Sequence, residues 1–136
     1  MQTISTTRAD EIIQRACVRA HEIGMAACIA IVDTGAHLKA FQRMDGAFAG
    51  AIDVSQRKAR TSALFPLPSG DFGRVIAEQQ LTGMELTNGG LAAFHGGLPI
   101  LDGETLLGAI GVSGGSAEQD LDVARYALGA DLSLIH

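Results

Sequence analysis

The segment from Leu106 to Asp120 constrains the fold most, because it joins a buried strand to a helix through a glycine turn. Its first half, Leu106–Val112, is almost continuously apolar, which predicts a central strand covered on both faces. Two glycines inside this strand let another backbone or a flat ligand approach closely. After the turn, Ser116 and Gln119 have the spacing of a capping box and predict the start of a helix. A strand, a glycine turn and a helix N-terminus together predict a place to hold a ligand.

The length and charge of the chain limit its class. With 136 residues, we expect one domain spanning residues 1–136. The formal net charge of −5 argues against a nucleic-acid partner. No apolar run is long enough to predict a membrane span, and the N-terminus lacks a signal-peptide pattern. These features predict a cytoplasmic protein. Cys17 and Cys28 lack metal-ligand spacing, so we interpret them as small buried hydrophobes.

Hydrophobic periodicity predicts an α+β protein. Helices are expected from Thr6 or Thr7 to Ile23, over Ala49–Leu64, over Asp71–Gln80 behind a Ser69 cap, and over Ser116–Leu128. Strands are expected over Met25–Val32, His37–Arg43, Leu91–Phe94 and Leu98–Leu101, and in the central segment that begins at Glu104. Because hairpins dominate this order, the sheet is predicted to be mostly antiparallel in a layered α+β fold.

The glycine turn allows two interpretations. Gly111–Gly115 formally matches the G-x-S-x-G nucleophile elbow, with Ser113 as the nucleophile. That elbow needs a parallel sheet and a longer chain, so we favour a turn in which Ser113 fixes the backbone. The N–H groups of the same loop could instead bind an anion. The acidic residues that follow favour a carboxylate over a multiply charged phosphate.

The histidines lack metal-binding spacing and lie far apart, at His21, His37, His95 and His136. His21, at the edge of the first helix's apolar stripe, is either an exposed helix residue or a ligand. His95 precedes Gly96 and Gly97 in a predicted tight turn, where backbone freedom lets it point into a cleft. It is therefore either a solvated turn residue or a functional group, acting as an axial ligand or a general base.

Three cations lie close together on the second predicted helix, at Arg57, Lys58 and Arg60. The default interpretation is a solvated helix face. The alternative is that one of them grips a carboxylate or a propionate, with Arg43 presented to the same cleft. Asp53 and Lys58 are five residues apart and need not pair.

Taken in order, several segments resemble the GlcG/HbpS-type haem-binding (haem-degrading) family, which includes the C-terminal domain of PduO-type cobalamin adenosyltransferases. The resemblance covers nearly the whole chain. It rests on Ile31–Gly35 with Leu38–Phe41, Arg43–Ala47, Asp53, Lys58–Thr61, Phe65, Gly96–Ile100, Leu107–Gly115 and Asp120.

The resemblance implies a profilin-like, three-layer α/β/α sandwich with a five-stranded antiparallel sheet. It also implies homo-oligomers with a pocket at the glycine-rich loops. Some members of the family bind haem or a corrinoid, and others accompany catabolic enzymes. His21 resembles the position of a haem-ligating histidine in some members. His95 stands where the family commonly has proline, which is a departure.

Two functions follow as expectations. The first is a small intracellular haem- or tetrapyrrole-binding protein, with haem iron on His21 or His95. Its propionates would be neutralised by Arg43, Lys58 or Arg60, and its pocket would be lined by Gly96, Gly97, Gly114 and Gly115. The second is a cofactor-free lyase, isomerase or hydrolase acting on a small carboxylate-bearing catabolite. There His95 would be the general acid/base, and the Ser113–Gly115 backbone would hold an oxyanion. A third possibility is an accessory oligomer without a ligand.

Overall fold

The computed structural model describes residues 2–129, so His136 lies outside the described residues. Its elements in chain order are α1 (Thr6–Glu22), β1 (Cys28–Asp33), β2 (Leu38–Arg43), α2 (Gly50–Leu64), α3 (Ser69–Glu78), a 3-10 turn (Met84–Leu86), β3 (Gly97–Asp102), β4 (Thr105–Ser113) and α4 (Ala117–Leu128). The predicted helices are confirmed, with shifts of one to a few residues at their ends.

The sheet is antiparallel with the order β2-β1-β4-β3. β4 pairs with both β1 and β3, so that Ile110 lies opposite Ile31 on one side and Leu98 on the other. The prediction of a central, buried strand is therefore confirmed. β2 and β3 are the edge strands. Pro99 lies in β3, where its missing N–H is tolerated because edge strands have one unpaired side.

The helices cover the sheet on both faces and produce three layers. In β1, Ile29 and Ile31 pack against α1 and α4, whereas the alternate residues Ala30 and Val32 pack against α2. The interface between the sheet and α2 is formed by small side chains. A Cβ on Gly111 would collide with the Ser55 carbonyl oxygen, so α2 rests directly on the backbone of β4.

Within residues 2–129 the sheet has four strands, and the expected fifth strand is not seen. The prediction that Leu91–Phe94 is a strand is wrong, because its backbone groups bind helix side chains. The Ala92 N–H donates to Thr61 Oγ1 at 3.1 Å, and the Phe94 carbonyl accepts from Ser69 Oγ at 2.5 Å. The segment therefore packs on α2 and α3 rather than on a strand.

Of the two helix caps predicted from the sequence, one is confirmed and the other is wrong. The predicted capping box is confirmed, since Ser116 Oγ accepts from the Gln119 N–H and the Gln119 side chain accepts from the Ser116 N–H. Ser69 does not cap α3, because its hydroxyl is used by Phe94 and by the Gly97 N–H. No helix among residues 2–129 is long and apolar enough to cross a membrane.

Candidate functional site

The sequence-predicted site residues divide between two places. His21 lies on α1, which covers one face of the sheet, and Lys58 lies on α2, which covers the other. His95 and the predicted glycines gather near Lys58. The structure therefore does not bring His21 and Lys58 into one pocket.

The first place is an open groove between α1 and β2, which we call the α1–β2 groove. Its volume is about 660 Å³. It is lined by Gln14, Cys17, Val18, His21, Glu22, Gln42, Met44 and Asp45. His21 is exposed, and Cys17 lies one turn earlier on the same helix face. The groove thus combines an accessible imidazole with apolar and sulfur-bearing side chains.

The floor of the α1–β2 groove is held by contacts between Met44 and Ala27, the residue just before β1. The Met44 N–H donates to the Ala27 carbonyl at 2.9 Å, and the Ala27 N–H approaches Met44 Sδ at 3.4 Å. Partial burial raises the pKa of the Cys17 thiol, so this side chain is a neutral thiol at pH 7. Sequence reasoning treated Cys17 only as a core residue and missed that it shares a surface with His21.

Arg43 does not line this groove. Its guanidinium donates to the Ala47 carbonyl at 3.2 Å, and Ala47 clusters with Cys28 on the other side of the strand. Neighbouring strand residues point to opposite faces, and Gln42 and Met44 take the groove side.

The second place is a buried cluster at the end of β4, which we call the Lys58 cluster: Lys58, Phe94, Val112 and Asp120. Lys58 Nζ donates to the Val112 carbonyl and to Asp120 Oδ2, both at 2.9 Å. Lys58 is 1% exposed and Asp120 is 3% exposed. The Phe94 ring centroid lies 5.1 Å from Nζ. The interpretation of Lys58 as part of a solvated helix face is therefore wrong.

Burial shifts the pKa values of both members of this ion pair. Removal from water lowers the pKa of Lys58, although the hydrogen bond with Asp120 opposes the shift. Removal from water likewise raises the pKa of Asp120 against the effect of Lys58 and of the Gly115 N–H. Both shifts make transfer of the proton from nitrogen to oxygen easier than in water.

The predicted glycines surround this pair. A Cβ on Gly96 would lie 2.7 Å from Lys58 Nζ, so only glycine at this position leaves room for the ammonium group. A Cβ on Gly97 would lie 2.8 Å from Ser69 Oγ. The Gly115 N–H donates to Asp120 Oδ1 at 2.9 Å, and the Gly114 N–H also binds this carboxylate. These two amides, expected to hold an oxyanion, are thus occupied by Asp120.

His95 lies beside the Lys58 cluster, against the N-terminus of α3. Its ring covers Gly70, where any Cβ would collide with Nδ1. Within residues 2–129, Nδ1 is buried and has no hydrogen-bond partner. Ser113 is buried at the end of β4, opposite Cys28 of β1. Of the two residues proposed for catalysis, His95 therefore has the unsatisfied polar atom.

The remaining cations of α2 bind backbone carbonyls. Arg57 pairs with Asp53 at 2.6 Å and donates to the Gly89 carbonyl at 2.7 Å. Arg60 donates to the Asn88 carbonyl at 2.7 Å. Asp53 therefore pairs with Arg57, and both arginines hold the loop that precedes Leu91.

Comparison with known proteins places the chain in a family. A family model described as haem degrading protein HbpS-like matches residues 4–129. The chain is 34% identical over 128 residues to an uncharacterized 15.0 kDa protein from the dhaT-dhaS intergenic region of Citrobacter freundii, covering 93% of this chain and 90% of that protein.

Solved structures share the fold. The crystal structure of Klebsiella pneumoniae protein ORFY has a TM-score of 0.90 and 34% identity, covering 99% of this chain and 92% of that one. A PduOC:heme complex has a TM-score of 0.80 and 24% identity, covering 98% and 96%. The family match spans nearly all described residues, and the chain therefore belongs to the HbpS-like family of haem-degrading proteins.

Proposed function

We propose that this protein binds haem, or a related tetrapyrrole, in the α1–β2 groove with His21 as the axial ligand. The observation that carries the proposal is the position of His21, exposed in an open groove beside Cys17, Val18 and Met44. Histidine is a common proximal ligand of haem iron. Small-molecule sites usually have volumes of about 300–1,000 Å³, and the groove falls in this range.

The family and fold support this proposal. The family is described as haem degrading, and a relative with the same fold has been crystallised with heme. Haem, when bound, supplies a redox-active iron. This chain supplies the imidazole of His21, the apolar wall formed by Val18 and Met44, and an acidic rim formed by Glu22 and Asp45.

The acidic rim also bears on orientation. Asp45 repels propionates, whereas the charge of Glu22 is partly balanced by Arg19 at 3.6 Å. We therefore propose that the propionates point into solvent rather than toward Asp45. Lys58 is already neutralised by Asp120 on the far face of the sheet, and Arg60 binds the Asn88 carbonyl. A homo-oligomer and a cytoplasmic location stay predictions.

The test is a haemin titration followed by absorbance. Wild type should give a saturable Soret shift, which His21→Ala should abolish or move. His37→Ala is the matched control, since His37 is also exposed but lies outside the groove. An unchanged titration in His21→Ala, or a shift no larger than that of a non-binding protein, would overturn the proposal.

A second candidate function rests on His95. Its buried, unpartnered Nδ1 suits a general acid/base in a cofactor-free lyase, isomerase or hydrolase acting on a small carboxylate. A carboxylate library screened by thermal shift against wild type and His95→Ala tests this. Ligands that stabilise both proteins equally would exclude His95 as the contact.

A further inference from the structure

Lys58 is chemically distinct from the other lysine of this chain. The sequence contains two lysines, Lys39 and Lys58. Lys39 is exposed on the edge strand β2, whereas Lys58 is almost fully buried. An ammonium has three N–H donors, and two of those of Lys58 bind Val112 and Asp120. The remaining direction faces the ring of Phe94.

The ring of Phe94 lies over this amine, and Phe94 is itself a surface residue. It is 52% exposed and lies in the irregular segment before β3. Its backbone is held by the Ser69 hydroxyl, whereas half of its side chain meets water. Rotation about its side-chain bonds would move the ring away from Lys58 Nζ without breaking a backbone hydrogen bond.

We propose that Lys58 is a reactive amine that forms an imine with small aldehydes, with Phe94 as its gate and Asp120 as its proton carrier. This activity is independent of haem binding, because the α1–β2 groove lies on the other face of the sheet. Desolvation activates a lysine toward carbonyl groups. Here an aromatic ring lies over the buried amine, and a carboxylate 2.9 Å away can accept its proton.

The reaction balances without an oxidant or a metal. Asp120 takes a proton from the Lys58 ammonium, and the neutral nitrogen attacks the aldehyde carbon while the carbonyl oxygen takes the proton from Asp120. The resulting carbinolamine returns a nitrogen proton to Asp120, which then protonates the hydroxyl as it leaves as water. The sum is one aldehyde and one ammonium giving one protonated imine and one water.

Burial favours the first of these steps. Because desolvation lowers the pKa of Lys58 and raises that of Asp120, the neutral pair costs less here than in water. Lys39, which lies in solvent, has no such assistance and serves as an internal reference.

The test is reductive trapping on the folded wild-type protein at neutral pH. Propanal and cyanoborohydride are added, and the propyl adducts at Lys58 and Lys39 are timed by peptide mass spectrometry. We expect the Lys58 adduct to form several-fold faster than the Lys39 adduct. Equal or faster modification of Lys39 would overturn the proposal.

Two further measurements separate a gated amine from a purely structural one. Phe94→Ala should accelerate trapping at Lys58, whereas Phe48→Ala should not. Phe48 is also an exposed phenylalanine, and Lys58 lies about 12 Å along the axis of α2 from the helix start that Phe48 precedes. An unchanged Lys58 rate in Phe94→Ala would refute the gate. Trapping at Lys58 that is absent without urea and appears only in step with global unfolding would show that only the unfolded chain reacts, and would refute the site.

Discussion

Lys58 Nζ lies 2.9 Å from Asp120 Oδ2, and this ion pair joins α2 to α4 around the end of β4, across two layers of the fold. Neither charge reaches bulk water. Lys58 also donates to the Val112 carbonyl, and Asp120 also accepts from the Gly115 N–H. Such a pair is tolerated in the interior because each group compensates the other, so removing one partner strands a buried charge.

The first prediction concerns this compensation. Lys58→Met alone should lower the free energy of unfolding by about 3–5 kcal/mol, whereas Lys58→Met with Asp120→Leu should lower it by much less. Urea denaturation measures both. Arg74→Met is the control, since the Arg74–Asp71 pair is exposed and should contribute about 0–1 kcal/mol. A double variant as unstable as the single one would contradict the prediction.

The second prediction concerns the contact between α2 and β4. Gly111→Ala should destabilise the protein by about 1–3 kcal/mol or more, because the new methyl group meets the Ser55 carbonyl oxygen and the Ala59 backbone. Gly50→Ala at the start of α2 is the matched control. Apart from its neighbours in α2, no atom of residues 2–129 lies within 4 Å of the added Cβ, so the change should be neutral or slightly stabilising. Equal melting temperatures for the two variants would refute this packing argument.

The third prediction is a pH dependence at the β1–β2 turn. Asp33 Oδ1 accepts from the Gly35 N–H at 2.9 Å and the His37 N–H at 3.0 Å. Partial burial raises the pKa of Asp33, but these N–H groups and His37 lower it more, so it lies below the usual 3.8. The ionised carboxylate therefore stabilises the fold above pH 3.8, and this stabilisation is lost as the pH falls through the lower, folded pKa.

Asp33→Asn tests the direction of this pH dependence. The variant should be less stable than wild type by about 1 kcal/mol at pH 7, and the difference should shrink below pH 3.8. Urea unfolding across the acid range measures it. A difference that widens toward acid would mean that the carboxyl group stabilises the turn in its protonated form.

The fourth prediction concerns the N-terminus of α4, which presents Asp120. Ser116→Ala removes the acceptor for the Gln119 N–H and should cost about 1 kcal/mol. Ser116→Asp retains an acceptor and should stay close to wild type. Amide hydrogen exchange in the first turn of α4 should quicken only in the alanine variant. Equal exchange in both variants would show that the cap does not hold this turn.

Much of the fold is predictable because its signals are local. The capping box at Ser116, for example, depends on a residue only three positions away. The strand prediction for Leu91–Phe94 is wrong because the hydrogen-bond partners of this segment are distant in sequence. Ala92 binds Thr61, which is 31 residues away. The sequence of an apolar segment does not indicate whether its backbone amides will bind a neighbouring strand or a side-chain hydroxyl group.

The candidate site was harder to predict for the same reason. Lys58 occupies a stripe of small buried residues on α2 that includes Ser55, Ala59 and Ser62. The position of Lys58 in this stripe indicates burial. Its charged neighbours Arg57 and Arg60, however, favour the interpretation of a solvated helix face. No local pattern tells which layer a helix joins, so the separation of His21 from Lys58 required the three-dimensional structure.

The two edges of the sheet bear on how copies of this protein can meet. β2 presents the exposed cations Lys39 and Arg43 along its open side, and β3 carries Pro99, which offers no N–H to a new neighbour. Charge and proline both oppose strand addition. Fibril-like growth by strand addition is therefore disfavoured at both edges of the described sheet.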